Sequence, residues 1–478
     1  MDESLYEIVE WIGKHGQEFM YFSYIVIIPS MFQNLIYLIA IPLAIMEVKA
    51  KFIPDKLTQT HWLRSSDITM PVSIFMPAYN ESLIIIQTVK KALTIDYPEY
   101  ELIVINDGSS DDSLEKLISE FELRPVFAKP EYLVPCEKII QIYKSRIYKN
   151  LVVIDKENGN SKADSLNAAI NIAKYSIFCT VDADSVMEQS ALMKTIQPFI
   201  ENDEVIASGG TIRLLNGCIV EEGKVVSENT PDKLIAIFQM LEYMRAFIVG
   251  RMSFSRGGFL TIISGAFAIL RRDIVIEVGG FNKNSIGEDY DLILSMHRYM
   301  MENNRPYQVT FLSEPVCWTQ VPEKITDLSK QRVRWQQGAL EGFFNNTDML
   351  FRPKYGRIGC LALPISLVID LIVPITELIG YILLPVLFYL EIIPSVTLFL
   401  YIAVFMVFGT FLSIIALILE ELTSDKIADS KSIIKLVLIA IIENFGFRQL
   451  NGYWRLKGWY YFLRSKNEWN KLERSNVN

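Results

Sequence analysis

From Tyr21 to Met46 the chain carries no charged residue over 26 positions. At about 1.5 Å rise per residue such a run crosses a hydrocarbon core about 30 Å thick, so it predicts a transmembrane helix. It is too long for the apolar part of a signal peptide, Pro29, Gln33, Asn34 and Pro42 interrupt it, and no small-residue cleavage site follows. A retained span is therefore expected. A second apolar block runs from Ile358 to Leu419, broken by Asp370, Glu377, Glu391 and Pro394. Ile392 to Leu419 is long enough to span, and Pro374 to Leu390 is a marginal span. Asp370 and Glu377 suit an interfacial or protein-facing helix before it, and a buried core helix is a reasonable reading of 361–373. Ile433 to Ile442 is apolar but for Lys435 and too short to cross, which predicts an interfacial position.

Orientation follows from the flanking charges. Lys49, Lys51, Lys56 and Arg64 follow the first span, whereas Asp2, Glu3, Glu7, Glu10 and Glu18 stand before it against Lys14. The positive-inside rule then makes the middle of the chain cytoplasmic. The tail is also basic, through Arg455, Lys457, Arg464, Lys466, Lys471 and Arg474. An even number of spans, two, should therefore follow the middle domain. The net charge of −9 argues against a general nucleic-acid binder, and the basic tail is expected at lipid headgroups.

The organisation expected is an N-terminal segment, 1–65, with one span at about 21–46; a cytoplasmic domain, 66–351; and a C-terminal part, 352–478, with interfacial helices and spans at about 374–390 and 392–419. The apolar fraction of 51% and mean hydropathy of +0.25 are concentrated at the two ends. Five scattered cysteines without a Cys-x-x-Cys pair, and three histidines, give no material for a transition-metal cluster. A reduced cytoplasmic domain is the simple reading.

The middle domain alternates β-rich runs with helical periods. Pro71 to Met76, Glu101 to Asn106, Leu151 to Asp155 and Tyr175 to Val181 have strand character, and Ser82–Leu93, Ser113–Phe121 and Lys162–Lys174 have helical spacing. Glu122 to Asn150 looks less regular. This alternation predicts an α/β fold with a mostly parallel sheet, whose ligands bind beyond the carboxyl ends of the strands.

Polar residues gather at those ends: Pro77-Ala-Tyr-Asn-Glu81, Asn106-Asp-Gly-Ser-Ser-Asp111, Lys156 to Lys162, and Asp182-Ala-Asp184. Each alone is a turn composition. Asp182 and Asp184, one residue apart at a strand end, can also converge on one hard divalent cation. Tyr79 can pack on a base, Glu81 and Asp107 can accept from base or ribose, and Lys162 can neutralise phosphate. Together they describe a nucleotide-diphosphate pocket with neither a P-loop nor a Gly-x-Gly-x-x-Gly, which disfavours a dehydrogenase or an ATPase. Asp289, in Gly-Glu-Asp-Tyr-Asp before a helical run, is either an N-cap or a general base. Gln331, Arg334 and Trp335 share a helix face and offer an amide, a guanidinium and an indole, groups suited to phosphates and sugar faces.

The ordered set Pro77-Ala-Tyr-Asn-Glu81, Asn106-Asp-Gly-Ser-Ser, Asn160 to Asn167, Asp182-Ala-Asp184, Ser264-Gly-Ala, Gly287-Glu-Asp289 and Gln331-x-x-Arg-Trp335 resembles the membrane-embedded family 2 glycosyltransferases. That group includes cellulose, hyaluronan and poly-N-acetylglucosamine synthases. The likeness covers about Pro71 to Gly338, and Glu443 to Gln449 through Trp469 resembles bacterial members.

The resemblance implies a Rossmann-like GT-A fold and an inverting, single-displacement transfer from a UDP-sugar with Mg²⁺ or Mn²⁺. On that basis Ala78, Tyr79, Glu81, Asp107, Lys162, Ser264 and Gly265 would border the donor. Asp182 and Asp184 would hold diphosphate and metal, and Asp289 would be the base. Gln331, Arg334 and Trp335 would border diphosphate and acceptor at the mouth of a transmembrane tunnel. Asp291 is expected to orient its helix. The expected product is a growing β-linked polysaccharide made at the plasma membrane and exported. The alternatives are single transfer to a lipid or lipid-linked acceptor and an inactive scaffold. An accessory export subunit or a homo-oligomer is left open.

Overall fold

Four apolar runs form the centre of the sheet: β1 (Val72–Ala78), β2 (Tyr100–Asp107), β5 (Leu151–Lys156) and β6 (Ile177–Val181). They are buried almost throughout, as parallel strands covered on both faces must be. The computed structural model describes residues 14–51, 69–127, 130–221, 224–423 and 430–464. In it β5, β2, β1 and β6 are mutually parallel neighbours. The full ten-stranded order is β3 (Leu123–Val126), β4 (Ile139–Ser145), β5, β2, β1, β6, β11 (Phe267–Arg271), β8 (Val205–Leu214), β12 (Gln308–Thr319), β7 (Val186–Met187).

The expectation of a mostly parallel sheet holds for this centre and for β8 (Val205–Leu214) beside β12 (Gln308–Thr319). The flanks are antiparallel. On one side β11 (Phe267–Arg271) pairs antiparallel with both β6 and β8, and β7 (Val186–Met187) with β12. On the other, β3 (Leu123–Val126) and β4 (Ile139–Ser145) lie in the stretch that looked irregular, and they pair antiparallel with no helix between them. Strands β9 (Ile219–Glu221) and β10 (Lys224–Ser227) form a separate hairpin.

Because β1, β2, β5 and β6 run the same way, Ala78, Asp107, Lys156 and Val181 end on one edge. The helix Lys162–Ile172 enters from that edge with nine of its eleven residues buried. Its asparagines explain the unusual composition. Asn167 Nδ2 donates to the carbonyls of Pro135 and Phe281, both at 2.9 Å, and Asn171 Oδ1 accepts from the Leu133 and Val134 amides at 2.8 and 3.0 Å. The helix thus holds two loops over the sheet.

Three helical stretches are long and apolar enough to cross a membrane: Gly16–Lys49, Ile358–Tyr389 and Ser395–Thr423. Ile25, Ile28, Leu35, Ile382, Val396 and Phe399 are exposed along them, as lipid-facing residues would be. The middle stretch joins into one helical run the segment expected as an interfacial or protein-facing helix and the marginal span after it. It is continuous over 32 residues, with π-helical turns at Ile358–Ala362 and Leu367–Ile372. Asp370 is accommodated by protein, accepting from Ser366 Oγ at 2.7 Å and lying 3.6 Å from Arg455 Nη2.

After the third stretch come the helices Ser430–Ile442 and Phe447–Leu463. The last packs on the helix Ile325–Phe344, where a Cβ on Gly458 would lie 2.7 Å from Gln336 Cβ. Arg455 Nε donates to Gln336 Oε1 at 2.7 Å, and Nη2 to the Asp370 carbonyl at 2.9 Å. Arg455 is therefore a protein contact and not the lipid contact expected of the tail. Glu443, fully buried, receives Arg245 at 2.7 Å and Arg448 at 2.8 Å, tying these helices to the middle domain. The orientation charges at Asp2, Glu3, Glu7, Glu10, Lys56, Arg64, Lys466, Lys471 and Arg474, and Trp469, lie outside the described residues.

Candidate active site

The strand ends are locked to one another before any ligand is considered. After β1, Asn80 takes a left-handed backbone, φ 54°, and its Oδ1 accepts from the Ser110 amide at 2.8 Å. The Glu81 amide donates to Ser113 Oγ at 3.0 Å and the Ser82 amide to Asp111 Oδ2 at 3.1 Å. The loops after β1 and β2 thus behave as one unit. Ala78 and Glu81 are buried in it, and Tyr79 stands 41% exposed, as a stacking platform must be. Asp107, at the end of β2, is ion-paired with the fully buried Lys156 and accepts from the Gly159 amide at 3.0 Å.

Asp182 and Asp184 follow β6 directly and are half-buried on either side of the buried Ala183. Lys162 Nζ is ion-paired with Asp182 and donates to the Gly265 carbonyl at 2.8 Å. The Gly265 amide in turn donates to Asp289 Oδ2 at 2.9 Å. One hydrogen-bonded chain therefore runs Asp182, Lys162, Gly265, Asp289. Ser264 shapes the same turn, its carbonyl accepting from the Phe267 amide at 3.1 Å. Burial disfavours the charge on Lys162, but Asp182 and Glu288 outweigh it and raise its pKa.

Asp289 sits at the start of the helix Glu288–Glu302, and its Oδ1 accepts from the Tyr290 amide at 2.9 Å. Glu288 is gathered at the same point: a Cβ on Gly265 would lie 3.3 Å from Lys162 Nζ, 3.4 Å from Asp289 Oδ2 and 3.6 Å from Glu288 Oε1. Burial first, and then the Asp289 charge, push Glu288 up to about 7. Asp291 is buried and accepts from Asn282 Nδ2 at 3.2 Å, tying the helix start to the loop before it.

Gln331, Arg334 and Trp335 lie on Ile325–Phe344 as the sequence predicts. Gln331 Oε1 is buried without a hydrogen-bond partner. Trp335 is 42% exposed, with the Arg332 guanidinium 4.4 Å above its ring; Arg332 is itself bonded to Glu242 at 2.6 Å. Sequence reasoning passed over Arg332, although it lies inside the quoted motif, and it also passed over Glu288, Lys156 and Gly338. Their signals were weak because the contacts of Arg332 with Glu242, of Lys156 with Asp107, of Gly338 with Gly287 and of Glu288 with the Gly265 turn all join residues distant in sequence.

Among the described residues no group of three or more His, Cys, Asp and Glu side chains is gathered to hold a metal. Two adjacent hard carboxylates at a strand end still fit a divalent cation whose other ligands come from a diphosphate.

A mixed sheet with flanking helices and polar strand ends converging on one edge is the architecture of a GT-A-type transferase. The sequence model of glycosyl transferase family group 2 matches residues 177–419, just over half of the chain, and that of glycosyl transferase family 2 matches residues 73–129. The chain belongs to glycosyl transferase family group 2 and is a transferase enzyme. It is 30% identical over 272 residues to a poly-beta-1,6-N-acetyl-D-glucosamine synthase of Staphylococcus epidermidis, covering 56% of this chain and 55% of that protein. To the synthase of the same name from Staphylococcus aureus strain COL it is 27% identical over 288 residues, 59% of each. The chain thus spans little more than half the length of these relatives. Among solved structures, the mannosyltransferase PcManGT from Pyrobaculum calidifontis, in complex with GDP-Man and Mn²⁺, superposes with a TM-score of 0.50 at 16% identity. That likeness covers 85% of this chain and 99% of the other, and it extends to the fold.

Proposed function

We propose that the chain is an inverting glycosyltransferase that moves N-acetylglucosamine from UDP-N-acetylglucosamine to a growing β-linked polysaccharide at the cytoplasmic membrane face, coupled to export. The observation that carries this reading is the hydrogen-bonded chain from Asp182 through Lys162 and Gly265 to Asp289, which joins a diphosphate-type site to a carboxylate base. The sugar rests on the two synthase relatives, the membrane location on the helical stretches flanking the middle domain, and the cytoplasmic face on the basic residues Lys49, Lys51, Lys56 and Arg64 after the first stretch.

In this mechanism Tyr79 stacks on the base and Asp107 accepts from it. Asp182 and Asp184 are the residues that would hold Mg²⁺ or Mn²⁺, which when bound supplies positive charge to the departing diphosphate. Lys162 adds a fixed positive charge beside it. Asp289, with both oxygens held by backbone amides, takes the proton from an acceptor hydroxyl. The acceptor oxygen bonds to the anomeric carbon as the bond to the diphosphate breaks, and the configuration inverts. Trp335 carries Arg332 on one face and offers its indole to the acceptor sugar. Arg334 lies one turn from Gln331 and would meet phosphate.

The test is product analysis after incubating the purified chain with radiolabelled UDP-N-acetylglucosamine, with UDP-glucose and UDP-glucuronic acid in parallel. A long, β-linked N-acetylglucosamine product supports the proposal. A lipid-extractable monosaccharide product would replace it with single transfer to a lipid acceptor, and no UDP release from any donor would leave a scaffold.

A further inference from the structure

Lys156 has no solvent exposure, yet the transfer chemistry gives it no task. Its ammonium is ion-paired with Asp107 and with Asp164, the latter at 2.6 Å, and it donates to the Glu157 carbonyl at 2.6 Å. Asp164 is also fully buried and is held in turn. Its Oδ1 and Oδ2 accept from the Glu137 amide at 2.9 and 3.2 Å, and a Cβ on Gly159 would lie 2.3 Å from Oδ2, so the loop after β5 closes directly on it. Both the Lys156 ammonium and the Gly159 amide reach the same oxygen of Asp107, Oδ1. Asp107 is thereby clamped through one oxygen at the mouth of the site. Two carboxylates face one ammonium, and the cluster keeps a net negative charge.

A buried ammonium is costly unless paired, and this one is paired twice with backbone support on either side. A surface ion pair would contribute little positional order; this enclosed arrangement fixes where the Asp107 carboxylate points. A fixed, net-negative acceptor suits a ring N–H donor, such as uracil N3–H or guanine N1–H. It repels a ring nitrogen that presents a lone pair, as cytosine N3 does.

We propose that Lys156, backed by Asp164, is a positioning residue that holds Asp107 as an acceptor for a nucleobase ring N–H, so that the donor site selects a uracil or guanine nucleotide over a cytosine nucleotide. This rests on the proposed nucleotide-sugar transfer. Lys156 is fully buried and its ammonium contacts Asp107, Asp164 and the Glu157 carbonyl, so it acts through Asp107.

The experiment uses the full chain in detergent and measures binding of UDP, GDP and CDP by calorimetry, together with kcat and KM for UDP-N-acetylglucosamine. The variants are Lys156→Met/Asp164→Asn, which removes the cation with one buried counter-charge, and the milder Asp164→Asn and Lys156→Arg. For the wild type, UDP or GDP should bind at least about tenfold more tightly than CDP, and which of the two does so identifies the base. The double variant should lose that preference and show KM raised about tenfold with kcat within about threefold. Asp164→Asn, which lets Lys156 neutralise Asp107 more fully, should raise KM about threefold, and Lys156→Arg should retain the base preference. Should the double variant fail to fold, Asp164→Asn decides: an unchanged KM and base preference overturns the inference. So does a folded double variant with wild-type selectivity, or one that loses kcat at constant KM. A wild-type chain that binds no nucleotide and transfers no sugar defeats the proposed function instead.

Discussion

Gly287 and Gly338 meet backbone to backbone: a Cβ built on Gly338 would lie 3.0 Å from both Cα and N of Gly287. Gly338 is three residues after Trp335, and Gly287 is two before Asp289. The contact presses the start of the proposed base's helix onto the helix that carries Gln331, Arg334 and Trp335. No side chain is interposed, so Asp289 and the face bearing Gln331, Arg334 and Trp335 share one rigid frame.

That contact sets the first expectation. Gly338→Ala forces two backbones apart, because neither neighbour is a flexible side chain that could give way. A displacement of under 1 Å at Asp289 should lower kcat by about 10- to 100-fold with nucleotide affinity within about threefold. Steady-state kinetics and calorimetry on the same preparation check it; near-wild-type kcat would show that the contact is slack.

Asp289→Asn keeps the shape of the side chain and removes its capacity to take a proton. Transfer should fall by at least about a thousandfold while UDP binding persists. Substantial residual activity would remove Asp289 from the mechanism.

Glu288 gives a pH signature. Its pKa is raised from 4.5 to about 7 by burial and by Asp289. Between those values the unfolded chain releases the proton while the folded one keeps it. The native state therefore loses stability as pH rises from about 4.5 to about 7, and the penalty persists above. Glu288→Gln removes it, so the variant should melt above the wild type at pH 8, by an amount on the order of 1–3 kcal/mol, and converge with it near pH 5. Melting curves in detergent that stay parallel across this range would contradict the assignment.

Metal removal is the fourth expectation. Chelation by EDTA should abolish transfer, and Mn²⁺ or Mg²⁺ should restore it. Asp184→Ala should abolish that rescue while leaving the thermal midpoint within a few degrees, because Asp184 is only half-buried at a strand end. Full activity in EDTA would exclude the metal.

The legible parts of the fold were those written in local pattern. The central strands of the sheet, the helix Lys162–Ile172 and the three apolar stretches all follow from runs of uniform period or uniform hydropathy. Boundaries moved by only a few residues, as with Ile85–Ala92 for the helix expected from Ser82. The segment from Glu122 to Asn150 was illegible because β3 is the edge strand of this flank and β4 lies next to it, where exposure thins the apolar signal: β4 buries only Ile139 and Ile142 of its seven residues. Within the site, the acids were visible as motif letters, but their partners were not. Lys156 looked like one more polar loop residue, and Arg332 like a spacer between Gln331 and Arg334.

By itself, the sequence determined which segments are apolar enough to enter a membrane, that strands and helices alternate between them, and which carboxylates stand at strand ends, because hydropathy, periodicity and turn chemistry are properties of neighbouring residues. Only the tertiary structure decided that Lys162 bridges Asp182 to Asp289 through Gly265, that Lys156 clamps Asp107, that Gly287 meets Gly338, and that Arg455 turns to Gln336 instead of to lipid. Each of these contacts joins residues 20 or more positions apart. Such pairings are set by sheet register and helix packing, which no local window of the chain contains.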